Sequence, residues 1–333
     1  MTVHAYAAKS AKAKLEPFEY EPGPLAPDEV EVRVTHCGIC HSDIAIIDND
    51  FGFTNYPLVP GHEVVGTVAA VGSQVRELKI GQRVGIGWNC GSCGVCEWCR
   101  HGEEMFCPLE KLTIVGHHGG WASTVRAQAK FTLPIPDALD SAQAAPLLCA
   151  GTTVFSPLIH YGVNASMRTA VIGIGGLGHL AVQYLAAFGC EVTAISSSHN
   201  KDHEAREFGA SNVLATRDSD ELAKAQRSFD FILSTVSADI DWPAIINTLR
   251  PKGRLAICGI PESDLKFSVV AILSEKNVSG ARSGSPSDTA QMLDFSAGHG
   301  IKAMIEPFPM TDVNKAVDHV RSGKARYRAV LVA

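Results

Sequence analysis

The sequence has no block of five or more consecutive basic residues, and its net charge is −6. Nucleic-acid binding needs clustered Lys and Arg against phosphates, so nucleic acid is a poor partner for this chain. No apolar run reaches the roughly 20 residues that span a bilayer, which argues against a membrane partner. The stretch MTVHAYAAKSAKAKLEPFEY lacks the apolar core of a secretory signal. These absences point to a cytoplasmic protein. In that compartment its ten cysteines are better read as metal ligands or buried thiols than as disulfides. Internal repeats and low-complexity segments are also missing. What remains is an ordinary globular composition, 46% apolar and 19% charged, in 333 residues, a length that suits two domains.

The texture changes near residue 151. Before it, short runs rich in Gly, Pro and Val predominate. EVEVRVTHCGIC (29–40) alternates from Val30 to Val34 as a half-buried strand should, and HEVVGTVAAVG (62–72) and GQRVGIGW (81–88) are further strands bounded by glycines. This half reads as an irregular β-barrel with ligand-bearing loops. After residue 151, RTAVIGIGGLGHLAVQYLAAFGCEVTAIS (168–196) reads as buried strand, glycine turn, apolar helix and second buried strand. FDFILSTV (229–236) and GRLAICGI (253–260) follow at α/β spacing, so the second half is a parallel sheet with crossover helices. The tail carries a helix (311–322) and a closing strand. The alternation of Tyr327, Ala329 and Leu331 suits a return to the first domain.

GIGGLG, residues 173–178, follows a strand and opens a helix. Gly173 permits the tight turn, Gly175 lets backbone approach a pyrophosphate, and Gly178 lets helix pack on strand, with Gly176 and Leu177 completing the cradle. Helix N–H groups then face the phosphates. The next strand discriminates between cofactors. An acid at its tip would bind the ribose hydroxyl of NAD. The tip is ISSSHNK, with Glu191 at the wrong end and Asp202 past it. Ser196, Ser197, Ser198 and Lys201 offer hydroxyls and a cation suited to a 2′-phosphate, so NADP(H) is expected.

WNCGSCGVCEWCRHGEEMFC (88–107) holds five cysteines, and a tetrahedral metal takes four. Cys90, Cys93, Cys96 and Cys99 repeat every third residue. Cys93, Cys96, Cys99 and Cys107 end with a longer link, which lets the last ligand come from the far side. Outside this loop, Cys40 in HCGICHSD, His62 in PGHEVVG and Cys149 in LLCAGTT would make a Cys₂His set with an open place, as catalytic zinc uses. Their separations are too long to join them by spacing.

HCGICHSD, PGHEVVG, the cysteine loop, LLCAGTT and GIGGLG stand in the order seen in zinc-dependent medium-chain alcohol dehydrogenases, which the chain resembles over nearly its whole length. The ISSS tip and GKARYRAV tail are similar to the cinnamyl-alcohol-dehydrogenase branch, and within it to bacterial NADPH-dependent broad-range aldehyde reductases. The resemblance implies an α/β protein: a GroES-like irregular β-barrel catalytic domain (1–150 and 286–333) and a Rossmann doubly wound domain (151–285). It implies that Cys40, His62 and Cys149 bind catalytic zinc, leaving Cys37 a neighbouring thiol. Glu63 matches a glutamate that approaches the metal, Asp43 a carboxylate that orients His62, and Ser42 the hydroxyl that relays the alcohol proton. The structural zinc of the family has the spacing of Cys93, Cys96, Cys99 and Cys107.

Further along the chain, Thr153 is expected beside the nicotinamide, and strand ends near Val236, Ile260 and Ser279 are expected to supply backbone contacts. Phe51, Leu112 and Trp88 match or neighbour pocket positions. Arg326 and Arg328 are candidates for the cofactor phosphates or for an outward face. His117, His118 and Trp121 are read as surface or packing residues. A homodimer through edge strands near 278–283 is implied. One departure concerns the relay: relatives often carry a histidine two residues after the aspartate, where this chain has Ala45, so the relay ends in water, in His41 near the cofactor, or elsewhere. The activity implied is NADP(H)-dependent interconversion of primary alcohols and aldehydes. An NAD-dependent polyol or sugar dehydrogenase is the alternative.

The choice of quartet is testable by metal analysis. Cys90→Ser should keep full zinc content, whereas loss of one zinc per subunit would reassign the ligands.

Overall fold

The computed structural model describes residues 2–261 and 263–333. The chain forms two compact units. One comprises residues up to Thr152 together with Ser283–Ala333, and the other is Thr153–Arg282. The breaks thus fall after Thr152 and Arg282, where the sequence texture places them after 150 and 285.

Strand β1 (Glu29–Gly38) leads into helix α1 (His41–Asp48). Strands β2 (Val64–Val71), β3 (Arg83–Ile86), β4 (Thr124–Gln128) and β5 (Leu133–Pro134) follow. The second unit contains β6 (Arg168–Ile172), helix α2 (Gly178–Ala187), β7 (Glu191–Ser196), β8 (Asn212–Ala215), β9 (Phe229–Ser234), β10 (Leu249–Ile257) and β11 (Asn277–Gly280). The chain then returns to the first unit with β12 (Ile305–Pro309) and β13 (Arg328–Val332).

The first sheet runs β12-β13-β1-β2-β3-β5, with β4 also on β1. Strand β1 organises it. Its first half pairs with β4 and its last residues with β13, while β2 lies along the opposite edge. Val30, Val32 and Val34 are buried, and Glu31 and Arg33 are not, as period-two patterning requires. A register shift between Val34 and His36 breaks that phase. Such an irregularity re-aims the side chains beyond it, and Cys37 and Gly38 are both buried. In the closing strand the expected alternation fails: Tyr327 to Leu331 are all buried. Strand β13 has neighbours on both edges, β12 and β1, and lies inside the sheet. The expected tail helix is shorter, a 3₁₀ turn at Met310–Asp312 and an α-helix over Val313–Arg321.

The second sheet runs β8-β7-β6-β9-β10-β11, and every pairing is parallel. The order reverses between β6 and β9, which defines the switch point of a Rossmann fold. The glycine turn leaves β6 there. Gly173 adopts φ +89°, a region open mainly to glycine. A Cβ on Gly178 would sit 1.7 Å from the Gly173 carbonyl oxygen, so helix and turn touch backbone to backbone. Thr235, just past β9, donates its hydroxyl to Ile172 O (2.9 Å) and Gly173 O (3.0 Å), tying both sides of the switch point.

Gly178→Ala should cost at least about 2 kcal/mol of stability, because the colliding atom is backbone and cannot rotate away. A variant with an unchanged melting temperature would contradict the close approach.

Candidate functional site

Helix α1 starts at a position set by its own residues. Cys40 is the N-cap, and its N–H donates to Asp43 Oδ2 at 2.9 Å, the return bond of a capping box. The other oxygen of Asp43 accepts from Gly61 N (2.9 Å) and from His62 Nδ1 (2.8 Å). Asp43 and His62 are fully buried. One carboxylate thus fixes the cysteine loop and the histidine loop. With Nδ1–H committed to Asp43, His62 presents Nε2 as its free lone pair.

Nε2 of His62 lies 3.2 Å from Cys149 Sγ, and Cys149 Sγ lies 4.0 Å from Cys40 Sγ. A tetrahedral zinc with sulfur bonds of about 2.3 Å has sulfur–sulfur edges of roughly 3.8 Å. Glu63 offers a fourth atom, and all four ligand atoms lie within 4.8 Å of one another. The Cys40 thiol is drawn well below its ordinary range, first by the Cys149 sulfur and then by His62, while the same contact pushes Cys149 up. The two sulfurs and the imidazole nitrogen face one another at the spacing of ligands around one ion. The donor set therefore fits zinc with one position contributed from outside or by Glu63. Trp88 meets the His62 ring edge-on at 4.8 Å. Ser42 is half-buried with its hydroxyl 3.7 Å from Cys40 Sγ, His41 is exposed, and Ala45 is buried on the helix's inner face.

Glu63 is fully buried, and its Oε1 accepts from Arg328 Nη2 at 2.5 Å. Arg328 also donates to Ile39 O at 3.2 Å. Burial pushes the Glu63 carboxyl up to about 8, with the Arg328 guanidinium pulling it back. Its Oε2 has no partner among the described residues. A Cβ on Gly38 would lie 1.9 Å from that oxygen, so the glycine makes room for it. Arg328 therefore corrects the sequence reading: it faces neither outward nor a phosphate, but serves a buried carboxylate. The signal was a lone Arg in the apolar run YRAVLV, and only strand pairing shows where it points. Arg326 is exposed.

Among the described residues a second group of metal-capable side chains is Cys93, Cys96, Cys99 and Cys107, with ligand atoms again within 4.8 Å of one another. Cys93 and Cys99 Sγ are 3.9 Å apart. Backbone N–H groups of Cys96 and Leu109 point at the sulfurs of Cys93 (3.3 Å) and Cys107 (3.4 Å), and at Cys93 backbone hydrogen bonds draw the thiol down to about 6. Cys90 stands apart. Its buried thiol donates to Lys111 O at 3.5 Å, and burial pushes it up to about 12. Sequence reasoning did not find Glu104, a fully buried carboxylate in this loop that is ion-paired with Lys130. Nothing local separates it from Glu103. Cys37 is fully buried beside its own chain, 3.6 Å from Gly38 O.

In the second unit, Ser196 ends β7 half-buried, Ser197 is exposed and Ser198 half-buried. Glu191 lies at the opposite end of the strand, on Asn212. Lys201 reaches back to Ile174 O in the glycine turn at 2.6 Å. A Cβ on Gly175 would meet open space, while Val236 packs over Gly173. Val236 and Ile260 lie beyond the ends of β9 and β10, and Ile260 is 64% exposed. Ser279 lies within β11, and the Thr153 carbonyl accepts from the Cys258 thiol at 3.5 Å. In the first unit, Phe51 is exposed and stacks on Phe53 at 5.7 Å, and Leu112 is half-buried. His118 packs on Tyr20 at 4.2 Å, and Trp121 is a fully buried packing residue.

Comparison with known proteins agrees with this architecture. A family model described as "Alcohol dehydrogenase GroES-like domain" matches residues 26–137, and one described as "Zinc-binding dehydrogenase" matches 176–298. The aldehyde reductase AdhA of Synechocystis sp. is 46% identical over 330 residues, covering 99% of this chain and 98% of that protein. The solved structure of a cinnamyl alcohol dehydrogenase (SbCAD4) from Sorghum bicolor superposes with a TM-score of 0.96 at 37% identity, covering 100% of this chain and 98% of that one. The crystal structure of CAD from Helicobacter pylori, complexed with NADP(H), gives 0.91 at 29% identity, with coverage of 100% and 98%.

Removing one partner of a buried ion pair typically costs about 3–5 kcal/mol. Arg328→Met should therefore lower the denaturant midpoint markedly, and adding Glu63→Gln should recover part of the loss. Two single losses that simply add would mean the pair is not coupled.

Proposed function

The chain belongs to the zinc-dependent alcohol dehydrogenase family, and from that premise we propose NADP(H)-dependent interconversion of primary alcohols and aldehydes, with aldehyde reduction favoured as its use. The observation that carries the site is the convergence of Cys40, His62 and Cys149, with Glu63 beside them, from three separate stretches of chain. When bound, zinc would supply Lewis acidity to the substrate oxygen, and the nicotinamide would supply or accept hydride.

The remaining work falls to side chains. Asp43 holds His62 in the tautomer that offers Nε2. It also holds the Cys40 amide, and so keeps one sulfur at the first turn of α1. Ser42, next to Cys40, is placed to pass a proton between the substrate oxygen and solvent. With Ala45 on the following turn, exposed His41 or water takes that proton. Glu63, with Oε2 unpartnered and Oε1 held by Arg328, can approach a metal when a neutral ligand leaves. Trp88 beside His62, with Phe51 and Leu112, would give the substrate an apolar and aromatic lining. Such linings favour apolar aldehydes but discriminate poorly between chain lengths.

Gly173–Gly178 and the N-terminus of α2 would take the cofactor pyrophosphate, with Thr153, Val236, Ile260 and Ser279 around the nicotinamide half. The absence of an acid at the end of β7, with Ser196–Ser198 and Lys201 in its place, supports NADP(H) over NAD and so argues against polyol or sugar oxidation with NAD. Cys93, Cys96, Cys99 and Cys107 would hold a second zinc with no open place, a staple for their loop, making two per subunit. A homodimer is supported by the exposed edge strand β11 and the exposed Val269, Val270 and Leu273 that precede it. No single helix among the described residues is long and apolar enough to cross a membrane, and the ten free cysteines suit a reducing compartment such as the cytoplasm.

Purified protein mixed with a medium-chain aldehyde should oxidise NADPH faster than NADH, read as loss of reduced-cofactor absorbance. Cys149→Ala should lower kcat/KM by about 1,000-fold or more, since the Lewis acid contributes several kcal/mol. Turnover that survives both this substitution and chelation would overturn the proposed chemistry.

A further inference from the structure

Two carboxylates border the tip of β7 and ought to work against a 2′-phosphate. Asp202 lies at the first position of the helix after the tip, and Glu221 reaches in from the helix Ser219–Lys224. Both meet one imidazole. His199 Nδ1 is 2.8 Å from Asp202 Oδ2, and its Nε2 is 2.9 Å from Glu221 Oε1. The second oxygen of Glu221 accepts from Ala215 N at 2.7 Å, at the end of β8, where Ala215 is the register partner of Ser196. The clamp is therefore anchored on the strand tip that carries the serines.

We infer that His199 is a specificity-determining residue, which favours a 2′-phosphorylated cofactor over its 2′-hydroxyl counterpart by masking Asp202 and Glu221. This inference rests on the NADP(H) reading of Ser196–Ser198 given above. Carboxylates accept hydrogen bonds and do not donate, so both ring nitrogens must carry protons for both contacts to exist. The ring is then an imidazolium, and the three side chains sum to one negative charge. A neutral ring can serve only one carboxylate, and the sum becomes two negative charges beside the site of a phosphate. A 2′-hydroxyl carries no charge and is largely indifferent to that change.

The surrounding charges are consistent with this. Lys201, on the same turn, is the nearby cation, and its ammonium donates to Ile174 O. Asp218 caps the helix of Glu221 through Asp220 N and Glu221 N, and its negative charge acts on Glu221 whatever the charge of the ring. The imidazole is held above its ordinary value, first by Glu221 and then by Asp202. A raised value extends upward the pH range in which the ring is charged, and masking is lost as pH climbs through it.

The test is direct binding to the zinc-replete holoenzyme, with NADP+ and NAD+ titrated against tryptophan fluorescence at low salt from pH 6.5 to 9. The wild-type Kd for NADP+ should rise across that range while that for NAD+ stays flat. His199→Gln should weaken NADP+ by about three- to fivefold at pH 7, the scale of one exposed charge, and shift NAD+ by less than roughly twofold. Adding Asp202→Asn should restore most of the NADP+ affinity, and raised salt should shrink every difference. Equal weakening of both cofactors by His199→Gln, no weakening of either, or failure of Asp202→Asn to rescue would overturn the inference. A wild-type enzyme that binds the two cofactors equally would instead overturn the NADP(H) reading, and the inference with it.

Discussion

Asp43, fully buried, accepts three hydrogen bonds: from Cys40 N, Gly61 N and His62 Nδ1. A buried carboxylate is costly unless its oxygens are fully engaged, and here each bond also places part of the metal-capable group. The cap of α1 sets Cys40 on the first turn, the Gly61 contact sets the bend before His62, and the imidazole contact sets the tautomer. Without this carboxylate the two loops would lose the contact that sets the His62 ring against Cys149, although strand pairing and Arg328 also join them. The chemistry proposed for the chain depends on that one side chain before it depends on any ligand.

Charge pairing recurs with a different purpose elsewhere. Arg328 and Glu63 form a buried pair that joins the last strand to the loop after His62. Glu104 and Lys130 tie the cysteine loop to the turn at Ala129–Phe131. At the tip of β7, exposed His199 takes up two half-buried carboxylates. The first two pairs each serve a fully buried carboxylate, Glu63 or Glu104, which would be costly to leave unpaired. The exposed one adjusts a local field and is correspondingly weaker and more sensitive to salt.

Much of the architecture was legible. Strand β1 could be read from Val30, Val32 and Val34, because a half-buried strand imposes period two. The Rossmann unit could be read from apolar runs separated by a glycine turn, because a sheet covered on both faces leaves no polar alternation. The closing strand was read less well: Tyr327, Ala329 and Leu331 look one-sided, yet Arg328 and Val330 are buried too. An alternating pattern reports what one strand offers, and the neighbours on its two edges decide whether the second face is also covered. The charged residues behind the site were the least legible. Glu104 looks like Glu103, and Arg328 looks like an outward basic residue, because a charge reveals a buried role only through its partner.

By itself the sequence determined the local matters: the strand and helix periods, the glycine turn that only residues without a side chain can make, the missing acid at the tip of β7, and the spacing of Cys93, Cys96, Cys99 and Cys107. Each is decided by residues within reach of one turn or one loop. Tertiary structure alone decided the pairing of Glu63 with a residue 265 positions away, and it brought together Cys40, His62 and Cys149, which the family resemblance named but spacing could not join. Those depend on which strands become neighbours. That is a property of the whole sheet's hydrogen bonding and burial, and no short stretch of sequence contains it.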